Sequence, residues 1–118
     1  MSATTVILDQ GLVAEIRRIE QASGRNGIFT TCVGKLEQNL SEFRDTFAAS
    51  VARGDTLGAM RAAHTLKGSC RQLGAQALGD LFASIERYVK EGDYAQAERT
   101  FDGNAVLVSE SLEALKRA

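Results

Sequence analysis

Residues 29–55 read FTTCVGKLEQNLSEFRDTFAASVARGD, and the order of apolar and polar side chains along them decides the fold. Phe29, Val33, Leu36, Leu40, Phe43, Phe47 and Val51 step by three or four residues, which draws one continuous apolar stripe down a helix face. At 1.5 Å per residue this helix is about 40 Å long. It closes at Arg53-Gly54-Asp55, where glycine can take the left-handed conformation and the aspartate can accept hydrogen bonds from the free amides of a following helix.

The same device recurs at Glu91-Gly92-Asp93, and the stretch between the two marks carries two more stripes. Ala59, Ala63, Leu66, Cys70 and Leu73 form one; Leu78, Phe82, Ile85 and Val89 form the other, on the far side of Gly74-Ala75. This spacing predicts a helical hairpin turning near residue 75, and connections this short force antiparallel neighbours. Beyond Asp93 a last stripe runs Tyr94, Ala97, Phe101, Val108, Leu112 and Leu115, with Asp102-Gly103-Asn104 as a candidate kink. Ahead of the long helix, Asp9 to about Ala22 predicts a shorter helix with Leu12, Ile16 and Ile19 on one side, followed by the breaker Ser23-Gly24-Arg25-Asn26-Gly27. The expectation is an all-α protein: an antiparallel up-down four-helix bundle, its core about residues 27–117, with a short N-terminal helix capping one end.

Composition agrees with that class. The chain has 118 residues, enough for a single domain over 1–118 but not for a separate nucleotide-binding unit. No proline occurs, 44% of residues are hydrophobic and 25% charged, so a folded core is expected. The 14 basic and 15 acidic residues are scattered along the chain, which gives no electrostatic reason to expect nucleic acid or an anionic membrane. No apolar run approaches the ~20 residues of a bilayer span, and the start lacks the pattern of a signal peptide, so a cytoplasmic location is expected. Cys32 and Cys70 both fall in helical apolar patterns and read as reduced core residues. One histidine and two separated cysteines do not make a zinc site, so no metal is expected.

That one histidine, His64, sits off the core stripe of its helix. At ~100° per residue Leu66 points about 200° away from it, whereas Met60, Arg61, Lys67, Gly68 and Arg71 share its face. Gly68 is out of place by propensity, since glycine costs a helix interior about 1 kcal/mol relative to alanine, and it lies one turn beyond the imidazole. A nitrogen nucleophile that must enter a partner's pocket and meet a phosphorylated carboxylate needs steric clearance, a cation for the transferred oxygens and a rigid mount. Gly68, Lys67 and the helix offer these. Arg61 and Arg71 widen the positive face, although an ordinary solvated helix surface accounts for them equally well. Equal steps from the turn at 75 pair position 64 with position 86, so Glu86 is a candidate to hold one imidazole nitrogen and leave the other exposed. The alternative is a surface carboxylate paired with Arg87 or Lys90.

The run Ala63-His64-Thr65-Leu66-Lys67-Gly68-Ser69-Cys70, followed by Leu73-Gly74-Ala75, closely resembles the core motif of the histidine phosphotransfer domain family. The order of helices resembles that family's four-helix bundle with a short N-terminal helix, more weakly outside the motif. The resemblance implies that His64 is the phosphoacceptor, Lys67 a stabiliser of the phosphoryl group, Gly68 the clearance residue, and Glu86 the position where the family has a glutamate or glutamine near the histidine. It further implies exchange of phosphate with the aspartate of response-regulator receiver domains in multistep two-component signalling, with a hybrid sensor histidine kinase upstream. In such a pair the receiver supplies Mg²⁺ and most of the catalysis, and the chain itself binds no cofactor. Cys70 stands where serine or alanine is frequent, a difference that bears on packing.

The implied contact is transient and modest in area, made by small and apolar residues around His64 with a basic rim: Met60, Arg61, Thr65, Arg71 and, on the capping helix, Leu12. The dimeric hairpin of a sensor kinase also phosphorylates a helical histidine. There the histidine is usually followed by an acidic residue, whereas Thr65 follows His64, and this chain has no glycine-rich phosphate loop for ATP. The expectation is therefore a carrier and not an autonomous enzyme. An adaptor that binds through the same face without phosphoryl transfer is the reading from a different class. A monomer is expected, since a fully packed bundle leaves no core face open.

Overall fold

The computed structural model describes residues 7–25 and 27–118. Among the described residues the chain forms six helices and no strand: α1 (Gln10–Ser23), α2 (Ile28–Ala52), α3 (Thr56–Gln72), α4 (Gln76–Lys90), α5 (Tyr94–Asp102) and α6 (Ala105–Arg117). The stripe on α2 is buried from Phe29 to Phe47, and those on α3 and α4 are buried from end to end. Phe43, Phe82 and Phe101 meet at its centre, with Phe43 and Phe82 edge to face at 5.1 Å and Phe43 and Phe101 at 4.9 Å. Such ring pairs add to the stabilisation that burial alone provides.

Helix α3 packs between α2 and α4, while α4 also meets α5 and α6. Asp55 and Asp93 start α3 and α5 by accepting the amides of Gly58 (2.8 Å) and Gln96 (3.1 Å). The α3–α4 connection is three residues long, with Gly74 at φ +85°, so the two helices run antiparallel.

Three expectations are corrected. The last helix is two helices: the chain breaks at Gly103-Asn104, where the Asn104 side chain donates to the Thr100 carbonyl at 2.7 Å. Cys32 is exposed, and only Cys70 is a core thiol. At ~100° per residue Cys32 falls about 60° from the axis of the buried stripe, just beyond its edge, and so faces solvent. On α1 the buried face is carried by Val13 and Glu20, with Leu12 and Ile16 half-buried and Ile19 exposed. The rotation has a polar cause: Glu20 Oε2 accepts the amide of Phe29 at 2.8 Å and so caps α2. Arg17 binds Glu20 Oε1 at 2.8 Å and lies over the Phe29 ring.

At its other end α1 is seated on the α3–α4 turn. The Asp9 amide donates to the Gly74 carbonyl at 2.7 Å, and a Cβ at position 74 would come within 2.9 Å of Val13 Cγ2. Glycine is therefore required at 74 both for its backbone conformation and for the approach of α1.

Candidate functional site

Halfway along α3, the antiparallel hairpin brings His64 opposite Glu86. His64 projects into solvent, its side chain 66% exposed, while that of Glu86 is only 8% exposed beneath it. The ring Nδ1 lies 2.8 Å from Glu86 Oε2. The second carboxylate oxygen, Oε1, accepts from Lys67 Nζ at 2.6 Å, and Lys90 Nζ stands 4.0 Å from Oε2. One buried carboxylate thus gathers an imidazole and two ammonium groups.

Burial alone pushes the Glu86 carboxyl up, because a charge is costly away from water. The hydrogen bonds from Lys67 and His64, with the charges of Lys67 and Lys90, outweigh burial and hold the group below the usual glutamate range. Glu86 is therefore ionised at neutral pH and can only accept. The proton of the Nδ1–Oε2 bond is then carried by Nδ1, so that in the neutral form of the ring the lone pair is on Nε2, which has no partner among the described residues.

Around the ring is a shallow depression lined by Leu57, Met60, Arg61, Thr65, Glu86 and Lys90. Gly68 lies one turn along α3, and a Cβ built there would touch nothing within 4 Å. Internal packing thus makes no demand for glycine at 68, unlike Gly79, where a Cβ would strike the Arg71 side chain at 2.6 Å.

Met60, Arg61 and Thr65 share the depression with His64, but two other residues expected near it do not. Arg71 reaches across to α4, within 3.4 Å of Asp80 Oδ1. Leu12 lines a separate hollow with Arg71, Gly74, Gln76 and Asp80. That hollow is at the turn, about 10–15 Å along α3 from His64. Sequence reasoning did not single out Leu57 or Lys90 as site residues. Leu57 is two turns before His64 on the same face, and Lys90 is one turn beyond Glu86, so helical periodicity was the available signal.

Fold and site together define a helical module that presents one imidazole, mounted on a buried carboxylate and flanked by cations. The family model described as the Hpt domain matches residues 30–118, and the chain belongs to that family. No curated protein and no solved structure matches the chain. Members of the family are carriers in histidine phosphotransfer within phosphorelays and interact with response-regulator receivers. Among the described residues, no helix is long and apolar enough to cross a membrane, and no group of three or more acidic, histidine or cysteine side chains is placed to hold a metal.

Proposed function

We propose that this protein is a cytoplasmic, monomeric phosphoryl carrier of a multistep relay, with His64 as phosphoacceptor and one Hpt domain over residues 1–118. In this reading α2, α3, α4 and the broken pair α5–α6 are the four members of an up-down bundle, and α1 is the cap. The observation that carries the proposal is the contact of an exposed imidazole with a buried carboxylate, His64 Nδ1 lying 2.8 Å from Glu86 Oε2. With Glu86 ionised, the neutral ring carries its proton on Nδ1 and offers Nε2 as the nucleophile.

The step is an in-line exchange with the aspartyl phosphate of a receiver, whose site supplies Mg²⁺. The Nε2 lone pair forms the N–P bond as the acyl-phosphate P–O bond breaks, and the aspartate carboxylate leaves with that electron pair. No proton has to move. The ring becomes cationic with its proton still on Nδ1, against the Glu86 carboxylate, and that anion stabilises it. Reversal returns the phosphoryl group to a second aspartate. Lys67 keeps Glu86 ionised and adds positive field for the phosphoryl oxygens, while the bare backbone at Gly68 leaves room for the receiver. Leu57, Met60 and Thr65 form the contact surface, with Arg61 at its rim and Arg71 and Leu12 at its far edge. A hybrid sensor kinase fits as the donor, and the chain itself uses no cofactor.

The test is incubation with a phosphorylated receiver domain and Mg²⁺. Acid-labile, base-stable phosphate is expected on the wild type and absent from His64→Gln. If several receivers bind the protein yet none labels it, the adaptor reading replaces this one.

A further inference from the structure

On the reading that His64 carries the phosphoryl group, we infer that Lys90, at the end of α4, is the cation that contacts that group, while Lys67 is committed to Glu86. The two lysines share one carboxylate unequally. Lys67 is bonded to it at 2.6 Å with its side chain 22% exposed, whereas Lys90 stands off at 4.0 Å with 59% exposed. Removing Lys67 to serve a phosphate would leave a buried carboxylate without its nearest charge, a costly exchange. Lys90 leaves no such deficit, because Glu86 keeps both Lys67 and the Nδ1 proton.

Position supports the same assignment. Lys90 lines the depression that holds His64 and Leu57, whereas Lys67 is not part of its wall. Arg61 is the other cation of that wall, on α3. A phosphoryl group on Nε2 brings close to two negative charges into this space. Lys90 needs only to turn from its loose hold on Glu86 to reach them, and its long flexible stem permits this.

Chemical phosphorylation with phosphoramidate tests the inference without any partner. The ³¹P resonance of the phosphohistidine is followed through a pH titration in wild type, Lys90→Gln, Lys90→Arg and Lys67→Gln. A cation touching the phosphoryl oxygens favours the dianion and lowers the midpoint. Lys90→Gln should raise it by about half a pH unit, and Lys90→Arg should restore it. An unchanged midpoint in Lys90→Gln, or a rise confined to Lys67→Gln, overturns the inference and leaves His64 as carrier. Failure of wild-type His64 to take the label removes the functional reading as well.

Discussion

At residue 68 a helix interior holds a glycine that no neighbour requires, since a methyl group there meets nothing within 4 Å. Gly68→Ala should therefore stabilise the isolated protein by about 0.5–1 kcal/mol in urea unfolding while slowing exchange with a receiver at least about tenfold. Gly34, equally uncrowded and in the second turn of α2, supplies the control. Its alanine variant should gain the stability and keep the transfer rate, and equal rates in both variants would remove the clearance role. Cys70 is buried and its thiol pushed up to about 12 by burial, while Cys32 is exposed. Ellman's reagent should accordingly react with one of the two thiols in the native protein and with both in denaturant. Glu86 gives a pH prediction. Its folded value lies below the ordinary one, so as pH falls the unfolded chain takes up the proton first. The stability Glu86 contributes is complete above the ordinary glutamate range and is lost as pH falls through the depressed value. Urea midpoints measured from pH 6 down to pH 3 should fall less steeply for Glu86→Gln than for wild type. Identical slopes would show that the group is not held ionised. The motif made His64 and Gly68 legible in the sequence, and counting equal steps from the turn led to the 64–86 contact. The choice of Glu86 by Lys67 was not legible, because a flexible side chain settles on its partner only in three dimensions.

At the scale of elements, caps and glycines carry the punctuation that the sequence displays. Asp55 accepts the Gly58 amide at 2.8 Å, which fixes the start of the helix that bears His64. Asp55→Ala should lower stability by about 1 kcal/mol, read from the denaturation midpoint, with transfer retained once the protein is folded. Uninterrupted apolar stripes made α2, α3 and α4 readable from residue types alone. The orientation of α1 was not readable in this way: its Leu12-Ile16-Ile19 stripe suggested one face, but the helix is turned to bring Val13 onto Gly74 and Glu20 onto the amide of Phe29. A polar cap supplied by the side chain of the preceding helix leaves no periodic trace. The division of the last helix was visible as Gly103-Asn104, yet its consequence depended on Asn104 bonding back to Thr100.

Across the whole molecule the division of labour is clear. Phe43, Phe82 and Phe101 tie α2, α4 and α5 together at the centre, and Glu20 with Arg17 ties α1 to α2. That framework mounts the α3–α4 hairpin on which a buried carboxylate meets an exposed imidazole at 2.8 Å, the arrangement that the proposed carrier role calls for. The central claim is that the transferred phosphate resides on His64. The most direct measurement is site mapping by electron-transfer fragmentation, at alkaline pH, of protein labelled by a phosphorylated receiver. The expected result is one phosphate per chain on the fragment containing His64, lost in acid and absent from His64→Gln. Phosphate on any other residue, or undiminished label on His64→Gln, would contradict the account.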